Sequence, residues 1–250
     1  MTDPARPVLI ILHQESSTPG RVGNALRALG YALDIRRPRF GDSLPATMDG
    51  HSGAVIFGGP MSANDGDDYI SREIDWIGVP LRENRPFLGI CLGAQMLARH
   101  LGARVGPHKE GRAEIGYYPI HPTPEGRACC AKWPEQVYHW HREGFDLPAG
   151  TDLLAQGDDF PNQAFRTGQA YGLQFHPDVT YAMMHRWTTR GHARLALPGA
   201  RSPSEHFAMR AVYDVAERQW LSDFLQCWLE REDRICERPV MTGLSDSEMA

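Results

Sequence analysis

The segment Pro86-Phe-Leu-Gly-Ile-Cys-Leu-Gly-Ala-Gln95 constrains this chain more than any other. A short apolar run ends in Gly89-x-Cys91-x-Gly93, and a helix-forming stretch, Leu92–Leu101, follows and stops at Gly102. A strand that turns so sharply into a helix needs small residues on either side of the turn, so that the two elements can approach closely. The residue at the apex then projects from the carboxyl end of a strand, where open α/β sheets place their ligands. The pattern therefore sets an α/β unit and singles out Cys91 together. A cysteine there lies at a helix N-terminus, which favours negative charge and hence the thiolate. The N–H of Leu92 has no intrahelical partner and is free to donate to an oxyanion forming beside the sulfur. The competing reading makes Cys91 a small core residue that happens to follow a strand.

Strand and helix signals alternate through the rest of the first half. Val8–Leu12 is an unbroken apolar run, as a strand buried on both faces requires. Arg21–Leu29 reads as a helix ending at Gly30, Ala32–Arg36 as a second strand, and Ala54–Phe57 as a third, closed by Gly58-Gly59-Pro60. Tyr69–Glu83 has helical spacing through Ile70, Ile74, Ile77 and Leu81, and Phe87–Ile90 is the fourth strand. This alternation predicts a mainly parallel sheet flanked by helices on both faces. In the middle, Gly116–His121, Gln136–His141, Asp152–Gln156, Gln163–Arg166 and Ala170–Phe175 read as short strands with no helix between them. They predict antiparallel strands added to that sheet, and so an open, mixed α/β architecture. Near the end, Trp220, Leu221, Phe224, Leu225, Trp228 and Leu229 form a wide apolar face at helical spacing, which predicts core. Residues 1–236 read as one domain, and 237–250 as a polar tail without periodicity, expected to be disordered.

With 250 residues, 42% of them hydrophobic, the chain can bury a core without staples. The net charge is -5 and no basic run stands out, which argues against nucleic acid as a partner. The Val8–Leu12 run is too short for a signal-peptide core or a membrane span, so no membrane association and a cytoplasmic location are expected. The five cysteines, Cys91, Cys129, Cys130, Cys227 and Cys236, are odd in number and lack CxxC spacing. Neither a disulfide framework nor a zinc ribbon follows from them, and Cys129 and Cys130 read as spare thiols. His139-x-His141 places two imidazoles on one face of a strand, half of a metal site. No third ligand is identifiable beside it, and no metal is expected. The acidic run Asp65–Asp68 lacks calcium-loop spacing and reads as the start of a helix.

A thiolate nucleophile needs a histidine within reach and a group to hold that histidine. Of the eleven histidines, His176 is best placed, in Tyr171-Gly-Leu-Gln-Phe-His-Pro-Asp-Val179. It ends an apolar strand, as Cys91 does, so both can lie at one edge of one sheet. Asp178, two residues on, can fold back to the imidazole and fix its tautomer. A strand-end histidine bonded to backbone and a solvated turn aspartate are the competing readings. Gly58-Gly59-Pro60 follows the third strand and can turn a backbone N–H into the same crevice as a second oxyanion donor; an ordinary tight turn is the alternative.

Taken together and in this order, Gly58-Gly59-Pro60, Gly89-Ile-Cys91-Leu-Gly93-Ala-Gln95 and Gln174-Phe-His176-Pro-Asp178 resemble the three signatures of class I glutamine amidotransferase domains. The resemblance covers about residues 8–235, is strongest to the GMP-synthetase-like branch, and extends to His139-Trp-His141-Arg-Glu-Gly-Phe-Asp-Leu-Pro148. It implies a flavodoxin-like fold, Cys91 as nucleophile, His176 as acid and base, Asp178 as orienter, and the N–H groups of Gly59 and Leu92 as the oxyanion hole. It further implies that Gln95 touches the amino-acid end of a glutamine or γ-glutamyl substrate and that the loop His141, Arg142 and Glu143 helps to close the site. Asp178 stands where the family usually has Glu, one methylene longer. The reaction so implied is cysteine-dependent hydrolysis of the glutamine amide through a γ-glutamyl thioester, without cofactor, with the ammonia passing to a separate synthase. A partner-independent γ-glutamyl hydrolase and a catalytically idle binding module are the alternatives.

Overall fold

The computed structural model describes residues 6–235. The expectation for 237–250 lies outside them. In chain order the strands are β1 (Val8–Ile11), β2 (Leu33–Arg36), β3 (Gly53–Ile56), β4 (Phe87–Ile90), β5 (Val105–Pro107), β6 (Glu114–Pro119), β7 (His121–Pro122), β8 (Gln136–His141), β9 (Glu143–Phe145), β10 (Asp152–Gln156), β11 (Ala164–Thr167) and β12 (Ala170–Leu173). The α-helices are α1 (Gly20–Ala28), α2 (Asp68–Trp76), α3 (Gly78–Arg82), α4 (Leu92–His100), α5 (Pro124–Cys129), α6 (Tyr181–Arg190) and α7 (Pro203–Ile235).

Eight strands form one mixed sheet in the order β2-β1-β3-β4-β12-β11-β10-β7. The first five run parallel, and β11, β10 and β7 are added antiparallel. Each central strand is apolar on both faces because each face meets helices. Val8, Ile10, Val55, Leu88 and Ile90 pack with Trp220, Leu221, Phe224, Leu225 and Trp228 of α7. Leu9, Ile11, Ala54, Ile56 and Phe87 point the other way, against Ile70 of α2 and Leu97 of α4. The two-residue period of a strand thus divides one apolar run between two cores. The edge strand β2 is half-buried throughout, and its Asp34 and Arg36 pair with each other at 2.8 Å. The α7 apolar face is core, as its spacing predicts. Truncating Trp228 to Ala would cost roughly 3–5 kcal/mol.

Four local readings are corrected; the first is that β12, expected among the antiparallel additions, runs parallel to β4 beside it. The single helix expected over Tyr69–Glu83 is two, α2 and α3, which meet at Ile77. Pro80 has no N–H for the carbonyl of Trp76 and its ring crowds that carbonyl, so the chain restarts a helix in which Pro80 sits in the first turn. The middle segment does contain a helix, α5, whose Thr123 hydroxyl accepts from the Gly126 N–H at 3.1 Å with Pro124 at the first helical position. Finally, β6 and β8 do not join the main sheet. They pair with each other, from Glu114 opposite His141 to Pro119 opposite Gln136, and pack under α6.

No helix among the described residues is long and apolar enough to cross a membrane.

Candidate active site

Adjacent parallel strands β4 and β12 end together, with Ile90 beside Leu173. Cys91 and His176 therefore leave the same edge of the sheet, one and three residues further on. Cys91 adopts φ 50° and ψ -104°, a left-handed conformation that only Asn84 shares among the described non-glycine residues. Such a conformation costs on the order of 1–3 kcal/mol and persists only where the surroundings enforce it. Here the Cys91 N–H is held on Leu173 O at 2.7 Å, and the Cys91 carbonyl accepts from the Gln95 N–H at 3.0 Å. The helix packs so closely on β3 that a Cβ at Gly93 would lie 2.1 Å from the Ile56 carbonyl oxygen. That contact explains the second glycine of the G-x-C-x-G pattern.

Asp178 reaches its histidine. His176 Nδ1 donates to Asp178 Oδ1 at 3.1 Å, and both side chains are buried. The Asp178 backbone, across the Pro177 turn, is pinned through its carbonyl, which accepts from the Arg21 N–H at 2.8 Å. Burial alone would pull the imidazole pKa down. The Cys91 thiolate, the Asp178 carboxylate and hydrogen bonds to both outweigh it and push His176 up to about 10. The thiolate and the carboxylate thus favour the imidazolium. At Cys130, away from this histidine, burial pushes the thiol up to about 12.

Gly59 lies between Leu92 and His13. Gly58 lies against both Cys91 and His176, since a Cβ there would lie 2.6 Å from His176 Cε1 and 3.4 Å from Cys91 Cβ. Two side chains not anticipated from sequence brace this loop. His13 Nδ1 donates to Gly58 O at 3.2 Å, and His13 Nε2 meets Glu73 Oε2 at 2.7 Å, both residues being fully buried. They lie sixty residues apart, from the β1 end and from α2, so no local pattern joins them.

Of the residues assigned to substrate, Gln95 is buried, its amide donating to Glu143 O at 2.8 Å and to Gln174 Oε1 at 3.2 Å. It ties the start of α4 to the 141–143 loop. The His141 side chain points inward, with Nδ1 on Glu143 O at 3.0 Å and Nε2 on Glu114 Oε2 at 3.0 Å. Arg142 is exposed and Glu143 half-buried. Glu114, on the strand facing His141, supplies the third metal-type donor that sequence spacing could not reveal, and with His139 it makes a buried cluster whose donor atoms lie 3.0–3.4 Å apart. Burial with the opposing pull of Glu114 leaves His139 at about 3, a neutral imidazole. Burial raises the Glu114 pKa, but the two adjacent imidazoles and the hydrogen bonds from His141 and Gln163 outweigh it and bring the carboxyl to about 2. The cluster fastens β6 to β8 and fixes the loop that follows.

A cavity of about 330 Å³ opens on the far side of His176, between the Gly58–Pro60 loop and α6. The Trp187 ring forms part of its wall and stands edge-on to His176, centroids 4.9 Å apart.

Comparisons with known proteins give the family to which a chain of this fold belongs. The glutamine amidotransferase class-I family model matches residues 12–189. The glutamine amidotransferase-like protein YfeJ of Salmonella typhimurium is 32% identical over 186 residues, 69% of this chain and 76% of that one. The glutamine-hydrolyzing GMP synthase of Streptococcus mutans is 30% identical over 246 residues, 95% of this chain; the match spans only 43% of that longer protein. The crystal structure of a glutamine amidotransferase from Methylobacillus flagellatus superposes with a TM-score of 0.83 at 27% identity, over 90% of this chain and 95% of that one. One from Thermotoga maritima gives 0.76 at 30% identity, over 92% and 98%. The chain belongs to the class-I glutamine amidotransferase family.

Proposed function

We propose that this chain hydrolyses the side-chain amide of glutamine through a γ-glutamyl thioester on Cys91. The observation that carries the reading is a buried Cys91–His176–Asp178 constellation, with the cysteine held in a left-handed turn at a helix N-terminus. The thiolate attacks the amide carbonyl, forming the S–C bond. The developing oxyanion lies between the Leu92 N–H and the Gly59 N–H. The second donor is oriented indirectly: Gly58 O and Gly59 N–H share one trans peptide, so fixing the carbonyl on His13 turns the N–H away from His13. His176 gives its proton to the departing nitrogen as the C–N bond breaks. Water, losing a proton to His176, then cleaves the thioester to glutamate and the free thiolate. Side chains and backbone carry every step, and no cofactor enters.

The ammonia would pass to a separate synthase subunit, a role supported by the matching region of the longer glutamine-hydrolyzing GMP synthase. A cytoplasmic setting suits a mechanism that needs a reduced thiol.

An electrophilic glutamine analogue should add its mass at Cys91 alone, and Cys91→Ala should abolish glutamate release while the circular dichroism spectrum is retained. Labelling at Cys129 or Cys130 with Cys91 untouched would remove the assignment.

A further inference from the structure

Glu114, His139 and His141 are the one buried cluster of metal-type donors among the described residues. Glu114 on β6 pairs with His141 on β8, and His139 lies two residues back on the same face of β8. Their donor atoms form a tight triangle. His139 Nδ1 is 3.1 Å from His141 Nε2, and Glu114 Oε2 is 3.4 Å from the first and 3.0 Å from the second. An ion about 2.1 Å from all three, the usual bond length from zinc to imidazole nitrogen or carboxylate oxygen, subtends donor–donor angles of roughly 90–110°. Those angles span the octahedral and tetrahedral values.

The count of protons favours an ion over a hydrogen-bonded triad. Glu143 O can only accept, so His141 Nδ1, 3.0 Å away, carries the proton of its ring and Nε2 presents a lone pair. Glu114 Oε2 already accepts from the Gln163 amide at 2.8 Å. His139 Nδ1 brings at most one proton to the triangle, and His141 Nε2 still faces the carboxylate oxygen lone pair to lone pair. The three side chains are at most 4% exposed, so no bulk water relieves that contact. A divalent cation satisfies all three atoms at once. The outer partners also suit a metal site, with a backbone carbonyl fixing the His141 tautomer and an amide holding the carboxylate.

We propose that Glu114, His139 and His141 hold one zinc ion as a structural site that locks β6 onto β8. Two imidazoles and a carboxylate are donors that zinc takes, with water in the fourth position. No step of the thioester chemistry passes through the ion, and the two readings stand or fall separately. Its effect on the site is mechanical. Glu143 O, which receives His141, also receives the Gln95 amide at 2.8 Å, one helical turn beyond Cys91. An ion that fixes His141 therefore stiffens the 141–143 loop against α4.

The test uses the full-length protein without an affinity tag, stripped by a chelator and then dialysed against zinc. We expect one equivalent to be retained per chain, in the native protein and in Cys91→Ala alike, and none in Glu114→Gln, which keeps the side-chain volume and an acceptor for Gln163. At a hundredfold excess over Kd, zinc should raise the native Tm by about 5–10 °C and leave that of Glu114→Gln unmoved. X-ray absorption at the zinc edge of the native protein should show nitrogen and oxygen neighbours at about 2.0–2.2 Å and no sulfur. That measurement and the native Tm decide the matter if Glu114→Gln fails to fold. A sulfur neighbour at about 2.3 Å, or binding lost in Cys91→Ala and kept in Glu114→Gln, would place the ion on the reactive thiol and overturn the proposal. A native protein that retains no zinc, or whose Tm ignores it, would overturn it equally and leave a shared proton in the triangle.

Discussion

Two buried imidazole–carboxylate pairs flank the same glycine. On one side of Gly58, His13 meets Glu73 at 2.7 Å; on the other, His176 meets Asp178 at 3.1 Å. The chemistry of each pair is alike, and what separates them is the group facing the second ring nitrogen. For His13 that group is the Gly58 carbonyl, which can only accept, so Nδ1 must carry a proton and the ring becomes a fixed donor. For His176 it is the thiol of Cys91, which can lose a proton and gain one back. A buried histidine with a carboxylate partner is therefore not by itself a catalytic mark. The neighbour on its other nitrogen decides.

The largest effect should come from breaking the reactive pair. His176→Asn should lower kcat/KM for glutamine by about 10²–10⁴-fold, the usual range for a general acid–base group. Asp178→Asn should cost less, by roughly tenfold or more, because the carboxylate only orients the imidazole and stabilises its charged form, whereas the imidazole itself moves the protons. Equal losses with unchanged folding would give Asp178 a larger part. The thiolate is itself a cause of the raised His176 pKa. In Cys91→Ala the imidazole midpoint, followed by NMR, should therefore fall below its native value. A midpoint unmoved by that substitution would contradict the ion pair.

The second effect tests the brace. His13→Leu removes the donor that fixes the Gly58 peptide and should lower glutamine turnover by up to about 10²–10³-fold, the cost of an uncoupled oxyanion donor. Alkylation of Cys91 by iodoacetamide is a displacement that creates no oxyanion, so its rate should stay within a fewfold. Glu73 would be left buried without its partner, so His13→Gln, which keeps a donor, serves as the conservative variant and should recover part of the turnover. Parallel losses of turnover and alkylation in both variants would mean that His13 merely holds up the fold.

The difference between the pairs also explains what the sequence could reveal. The elbow is local. Gly89, Cys91 and Gly93 sit within five residues between a strand and a helix, so the pattern and its strained geometry are written side by side. His176 and Asp178 are legible for the same reason, being two residues apart at a strand end. The His13–Glu73 brace joins residues sixty apart, and Glu114 meets His141 only through the pairing of β6 with β8, which a one-dimensional pattern does not contain. The helices α5 and α6 were missed for a different reason. Their capping residues, Thr123 and Thr180, are visible in the chain, but α6 buries only Met183, Met184 and Thr188, too narrow a stripe to announce a helix by hydrophobic period.

The smallest effect concerns an asymmetry behind the two pairs. Glu217 of α7 lies fully buried behind the reactive pair, where its Oε1 accepts from the Tyr138 N–H at 3.2 Å. Burial raises its pKa, and the Asp178 charge adds to the rise; the Tyr138 hydrogen bond and Arg21, whose guanidinium is 3.9 Å from the carboxylate, offset part of it, leaving Glu217 at about 7. The sign of the pH dependence follows. Unfolded, the group titrates near 4.5; folded, near 7. Between those values the folded chain binds more protons, so stability falls as pH rises through that window and levels off above it. Glu217→Gln keeps an acceptor for Tyr138 but no titrating proton. Its Tm relative to the native protein should therefore climb from pH 4.5 to pH 7.5, with glutamine turnover changed little. Replacing Asp178 by Asn removes one cause of the raised pKa, so in that background the climb should be complete at a lower pH. A Tm difference that stays flat from pH 4.5 to pH 7.5 would show that Glu217 remains ionised in the fold, held by Arg21 more strongly than burial opposes it.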